Sequence, residues 1–195
     1  TLANWTAGGG WSPSVSSIIW ATRSIPSTSV VADGSTNTST TQAATGGTAI
    51  CSSYYNASTV PANAFDGNSG TAWESNGSLP AWVGYQFSSG KVINKYRVNV
   101  GNYCVSAIVG SWTIDGSNDG SSWTQLHSVG NGNNPRTCNV WETYSFSNST
   151  AYSRYRLYCT YAKGTGTAYC ALPELVLIEA QTQTSNPTFT KVTIN

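Results

Sequence analysis

Asn63-Ala64-Phe65-Asp66-Gly67-Asn68-Ser69-Gly70-Thr71-Ala72-Trp73 is the stretch on which the reading of this chain turns. Between its apolar ends it sets a carboxylate, an amide and a hydroxyl among glycines. Such a loop turns tightly, because Gly accepts a positive φ, and the turn aims backbone carbonyls inward. That donor set suits a hard, oxygen-seeking cation, Ca²⁺ above all. A second reading needs no ion: Asp66 caps its own Asn/Gly turn, and other acidic groups find backbone N–H or Arg partners.

The rest of the chain bounds what this loop belongs to. At 195 residues there is material for one sizeable domain with appendages. Charged residues make up 9% and the net charge is +1, so no basic surface exists to neutralise a run of phosphates, and nucleic acid is not an expected partner. Aromatic residues at 12%, with eight Trp, supply far more packing material than a disordered polar chain carries. Gly, Pro and Asn/Ser clusters interrupt nearly every stretch that could hold three apolar helical turns, so the expected class is all-β. No run is long enough for a transmembrane helix and residues 1–30 lack a signal-peptide pattern, so no membrane insertion is expected. A start at Thr1 fits a removed signal peptide, a trimmed initiator Met or a fragment, and these imply different compartments.

Residues 1–40 read as an N-terminal arm or added strand, with Trp5, Trp11 and Trp20 expected to dock on the domain or on a partner. Residues 41–180 read as the β-sandwich. Strands are expected near 49–53, 82–87, 92–100, 111–116, 123–129, 141–146, 155–161 and 175–179. Alternation is clearest at 96–100, where Tyr96, Val98 and Val100 share a core face and Arg97 and Asn99 a wet one. Residues 181–195 form a C-terminal extension, in which Phe189–Ile194 offers one more short strand. The five cysteines show no zinc or redox spacing. Cys159 and Cys170 could meet across a Gly-rich turn and Cys104 and Cys138 flank loops, but the pairing stays open, as does the case of five free thiols. The five sequons, at Asn4, Asn37, Asn56, Asn76 and Asn148, are about what the Ser/Thr-rich composition gives by chance.

The order "NAFDGNSGTAW", "PAWVGYQF", "GSNDGSSW", "YRLY" and "PELVLIE" resembles the discoidin, or coagulation-factor C-type, domain over about residues 45–180. The resemblance implies a galactose-binding-like jelly-roll β-sandwich of eight strands. It implies a structural Ca²⁺ held by the Asp66 side chain, the carbonyls of Asn63 and Asn68, Thr71, the Glu174 carboxylate and the Pro173 carbonyl. It places Trp73, Trp82 and Phe87 beneath the binding loops as packing, and puts the ligand site in the loops at one end. There Tyr54, Tyr55, Tyr103 and Arg136 are the expected contacts, with Glu74 and Asn76 reading hydroxyls. Galactose-binding relatives often carry a loop His with an Arg, whereas the single His127 here falls on a predicted strand. The apolar spikes of membrane-binding members are absent.

No paired acid and base or activated nucleophile is visible, so an enzyme is not expected. The expected function is a glycan-binding or adhesion module, extracellular or on a virion surface, with cell-surface glycans as partners. The alternative is a decoration, tail or filament subunit that uses the same fold for assembly through its N-terminal arm.

Overall fold

The computed structural model describes residues 28–30, 32, 34, 37–77, 79–104, 108–130, 137–164 and 169–184. The arm tryptophans, the Phe189–Ile194 segment and Arg136 lie outside them. The chain divides into two compact units, Val30–Gln183 and a second composed of Thr1–Ser29 with Thr184–Asn195.

Twelve strands are described: β1 (Thr28–Val30), β2 (Thr48–Cys51), β3 (Trp73–Glu74), β4 (Ala81–Lys91), β5 (Ile93–Asn99), β6 (Ile108–Ser117), β7 (Thr124–Val129), β8 (Trp141–Ser145), β9 (Tyr152–Lys163), β10 (Ala171–Leu172), β11 (Glu174–Glu179) and β12 (Thr182–Thr184). All eight expected strands are present. The large sheet runs β2-β4-β9-β6-β10-β3 with β7 on β6, the small one runs β11-β5-β8, and β1 pairs with β12. Every described pairing in the two larger sheets is antiparallel except β10 on β6.

Strand parity builds the core. On β4, Ala81, Val83, Tyr85 and Phe87 are buried, and β9 answers with Tyr155, Leu157 and Cys159. From the small sheet come Tyr96 and Val98 of β5 and Leu175 and Leu177 of β11, all essentially inaccessible. Trp73 and Trp112 are the largest side chains sealed between the sheets. The expected face of Tyr96, Val98 and Val100 is indeed core, but Asn99, expected to be wet, is only 4% exposed. Its Oδ1 accepts the Gly101 N–H at 2.8 Å, so a side chain that looks solvated by alternation is spent on a turn.

Trp82 also departs from expectation. Ala81, Val83, Tyr85 and Phe87 take the inward parity of β4, so Trp82 is half-buried on the outer face of the large sheet rather than beneath the loops. There the Arg156 guanidinium lies 5.8 Å from the Trp82 ring, 4.1 Å from Trp123 and 4.6 Å from Tyr158, and its Nε donates to Asp115 Oδ2 at 2.8 Å. Trp73 and Phe87 do pack inside.

Polar groups close the far edge of the small sheet. Gln42 accepts the Leu177 N–H and donates to the Leu175 carbonyl, which covers β11 with the segment before β2. Asn37 and Asn148, two of the sequon asparagines, are buried and donate to Asn94 Oδ1 and the Ile93 carbonyl, both at 2.8 Å. Those side chains are structural hydrogen-bond donors, not accessible glycan acceptors.

Candidate functional site

At one end of the sandwich, β3 is only two residues long, yet it is pinned on every side. Trp73 turns into the core and donates its indole N–H to the Ser53 carbonyl at 2.9 Å. Parity then turns Glu74 outward. The Glu74 N–H donates to Thr59 O, its carbonyl accepts the Tyr55 N–H at 2.9 Å, and it sits opposite Ala171 of β10. Ser75 and Cys170 exchange two hydrogen bonds, Ser75 N–H to Cys170 O at 2.9 Å and Cys170 N–H to Ser75 Oγ at 3.0 Å. The Asn76 N–H is held by Ser53 Oγ at 3.1 Å.

These ties shape a pocket of about 440 Å³ lined by Tyr55, Glu74, Ser75, Asn76, Gly77 and Tyr169. Tyr55 is 64% exposed and Tyr169 36%, which leaves aromatic surface open beside a carboxylate and an amide. Tyr103 stands against Glu74 and shares a hydrogen bond with it; burial first, then the Glu74 charge and that bond, push its phenol up. Rings flanking a few fixed polar groups are what a sugar requires: C–H faces pack on the rings, and hydroxyls meet the polar groups.

Of the six expected ligand contacts, Tyr55, Glu74 and Asn76 line this pocket and Tyr103 contacts one of them. Tyr54 is exposed but is not part of the lining, and Arg136 lies outside the described residues. Ser75, Gly77 and Tyr169 line the pocket without being among the expected contacts. The signal for Gly77 was its place after Ser-Asn in a tight turn, where it takes a φ of 75°. His127 is on β7, away from the pocket lining, with Nδ1 3.0 Å from the Tyr96 hydroxyl.

The Asp66 loop follows a short 3-10 turn, Pro61–Phe65. Asp66 Oδ1 accepts the Asn68 N–H at 2.8 Å, Thr71 Oγ1 lies 2.7 Å from Asp66 Oδ2 and 2.8 Å from the Asn68 carbonyl, and Gly67 has a φ of 78°. This is the self-capped turn of the ion-free reading. Glu174 meets that reading in part, since it takes the Asn68 and Gly67 N–H groups, but one of its oxygens is left over. It is 1% exposed, its Oε1 has no hydrogen-bond partner, and it shares a hydrogen bond with the Asp66 carboxyl. Burial, reinforced by that bond and by the Asp66 charge, pushes Glu174 up to about 8, against the opposing pull of the Asn68 and Gly67 N–H groups. Two carboxyls drawn together with a buried oxygen left over, beside the Thr71 hydroxyl and the Asn68 carbonyl, fit a hard cation. No group of three or more His, Cys, Asp or Glu occurs among the described residues, so any ion here must draw its remaining ligands from carbonyls and Thr71. The nearby turn is tight as well: Gly101 has a φ of 53°, and a Cβ there would meet the Ser69 carbonyl at 2.3 Å. A disulfide joins Cys104 to Cys138, while Cys51, Cys159 and Cys170 are thiols, the last two with Sγ atoms 2.7 Å apart.

Residues 48–175 match the model of the F5/8 type C domain. The chain belongs to that family. Solved structures similar to this F5/8 type C domain include chitosan-binding module 2 of a chitosanase/glucanase from Paenibacillus sp. IK-5, in complex with chitotriose, with 26% identity, a TM-score of 0.55, and coverage of 69% of this chain and 97% of that one. Others are the CBM32 of AlyQ with 4,5-unsaturated mannuronic acid, with 22% identity, a TM-score of 0.55 and coverage of 67% and 93%, and a CBM32 of Clostridium perfringens with GalNAc-β-1,3-galactose, with 17% identity, a TM-score of 0.56 and coverage of 67% and 94%. No curated protein matches the chain. The F5/8 type C domain described here therefore has the fold of family 32 carbohydrate-binding modules. No helix among its described residues is long and apolar enough to cross a membrane.

Proposed function

We propose that this chain binds glycans, without catalysis, in the pocket of Tyr55, Glu74, Asn76 and Tyr169. The observation that carries the reading is the convergence of two exposed tyrosine rings, a carboxylate and an amide at one loop end, on segments whose backbones are already tied down. It is supported by the fold, whose similar structures include three that hold sugars. Asp66, Thr71 and Glu174, with the carbonyls of Asn63, Asn68 and Pro173, would hold a structural Ca²⁺ that ties the Asp66 loop to β11. An extracellular or virion-surface setting is part of the same proposal, with the unit formed by the two chain termini as the attachment.

A glycan array probed with the full chain and with Tyr55→Ala tests the site. Specific binding that weakens by about fivefold or more in the variant is expected, since stripping one stacking ring removes about 1 kcal/mol or more. Binding to no glycan, or binding indifferent to both Tyr55→Ala and Tyr169→Ala, would refute it. Antibody labelling of intact cells or particles tests the setting: surface label is expected, and label seen only after lysis would overturn it.

A further inference from the structure

The pocket carries a charge that a neutral sugar does not need. Glu74 is fixed from both sides of its backbone, and parity with the sealed Trp73 sends its side chain out of the core. An ionised carboxylate offers about four lone-pair sites, and the only side-chain partner it has among the described residues is the Tyr103 hydroxyl. Because burial and Glu74 itself push the Tyr103 phenol up, Tyr103 stays a donor and orients the carboxylate rather than neutralising it.

No basic side chain among the described residues pairs with Glu74. Lys91 is bound to Glu179, Lys95 to the Asn37 and Ser39 carbonyls, Arg154 to Gln86 and Arg156 to Asp115, Arg97 lies 4.6 Å over the Trp141 ring, and Lys163 is exposed at the end of β9, with Ala171 and Ile108 between its register position and that of Glu74. The remaining polar lining is neutral, and the Ser75 hydroxyl is already spent on Cys170 and Gly77. A half-buried anion beside aromatic rings, with no cation paired to it among the described residues, favours a ligand that brings the cation and repels one that brings a second anion.

We propose that this pocket selects amino sugars carrying a free, protonated amino group, with the ammonium on Glu74 and the sugar ring against Tyr55 and Tyr169. The proposal rests on the glycan-binding reading and deepens it. Removal of the charge by N-acetylation takes away a charge-assisted hydrogen bond and leaves the ring contacts, and a uronic acid sets carboxylate against carboxylate. Raising the pH through the titration of the sugar amine has the same effect as acetylation, and added salt weakens only the charged contact.

The test is titration calorimetry of the full chain with the β-1,4 glucosamine trimer, its fully N-acetylated counterpart and trigalacturonic acid, for the wild type and Glu74→Gln, with melting curves to show that the variant folds. The expected result is binding in the order free amine, then N-acetyl, then uronate, with the free-amine preference about tenfold or more and collapsing in Glu74→Gln. Equal or tighter binding of the N-acetylated trimer or the uronate, or a free-amine preference that survives in Glu74→Gln, would overturn the amino-sugar selection while leaving glycan binding intact. Binding of none of the three, together with a blank glycan array, would overturn both.

Discussion

Removing the Cys104–Cys138 disulfide tests whether the site end is stabilised through the unfolded chain. The bond closes a loop of sequence separation 34 that contains all of β6 and β7. By the chain-entropy relation, a loop of that size withholds about 4 kcal/mol from the unfolded state. Domains of this kind are stable by only about 5–15 kcal/mol, so a Cys104→Ala/Cys138→Ala chain should still fold, but with about a quarter to four-fifths of its margin gone. The native geometry has independent support. Asn139 donates its N–H to the Gly101 carbonyl at 2.9 Å and its Nδ2 to Asn102 Oδ1 at 2.8 Å, and the Tyr103 N–H reaches Val100 O at 2.9 Å. Urea unfolding should therefore show a fall of about 2–4 kcal/mol, with the reduced wild type matching the double variant, while glycan affinity changes little. An unfolding midpoint that is unmoved by reductant would refute the entropic argument. So would a variant that loses binding in step with stability, because the bond would then be holding the native loop rather than restricting the unfolded chain.

Calcium should stabilise the chelated protein by an amount that grows with its concentration, about 2.7 kcal/mol at a hundredfold excess over the dissociation constant, and raise the melting temperature accordingly. Asp66→Ala should abolish the response, and a melting temperature indifferent to both Ca²⁺ and chelator would count against the ion. His127 supplies a pH dependence. His127 Nδ1 lies 3.0 Å from the Tyr96 hydroxyl, which accepts the Trp112 indole N–H at 3.0 Å, and burial among Tyr96, Tyr144 and Phe146 lowers the imidazole below its ordinary value of 6.5. A base lowered on folding binds its proton better when unfolded, so its contribution is complete above pH 6.5 and is lost as the pH falls toward the folded value. Denaturation at pH 7.5 and 5.5 should show that loss in the wild type and a smaller one in His127→Gln; identical losses in both would exclude His127 as the source.

The long strands were legible because each carries enough residues to show a period: Tyr96, Val98 and Val100 declare a core face by alternation alone. β3 and β10 were not, since two residues have no period, yet these strands set Glu74 and adjoin Tyr169. The family resemblance pointed to Tyr55, Glu74 and Asn76, which line one pocket, and put Tyr169 near the loops without making it a contact, because its place in the lining depends on the pairing of Ala171 with Glu74 across a long sequence gap. Trp82 was misplaced because the family position was read without parity: Val83, Tyr85 and Phe87 face inward, which sends Trp82 to Arg156 on the outside. The Cys104–Cys138 pairing could not be read because it depends on how two loops meet.

The Asp66 loop and the pocket read separately in the sequence, but the fold joins them mechanically. Gly101 is packed so closely on the Ser69 carbonyl and Pro173 that it leaves no room for a Cβ, and it lies between the Asp66 loop and β11. The same turn continues through Tyr103 to Cys104, and Tyr103 orients Glu74. An ion drawing Asp66 and Glu174 together would therefore brace the support of the pocket without touching a ligand. Bracing of that kind lowers the ordering cost of binding, and a shallow site with two rings and one charge gains most from it, because it has few contacts with which to offset that cost. On this argument Asp66→Ala should weaken glycan binding modestly as well as abolishing the calcium response, and Ca²⁺ should restore binding in the chelated wild type but not in the variant.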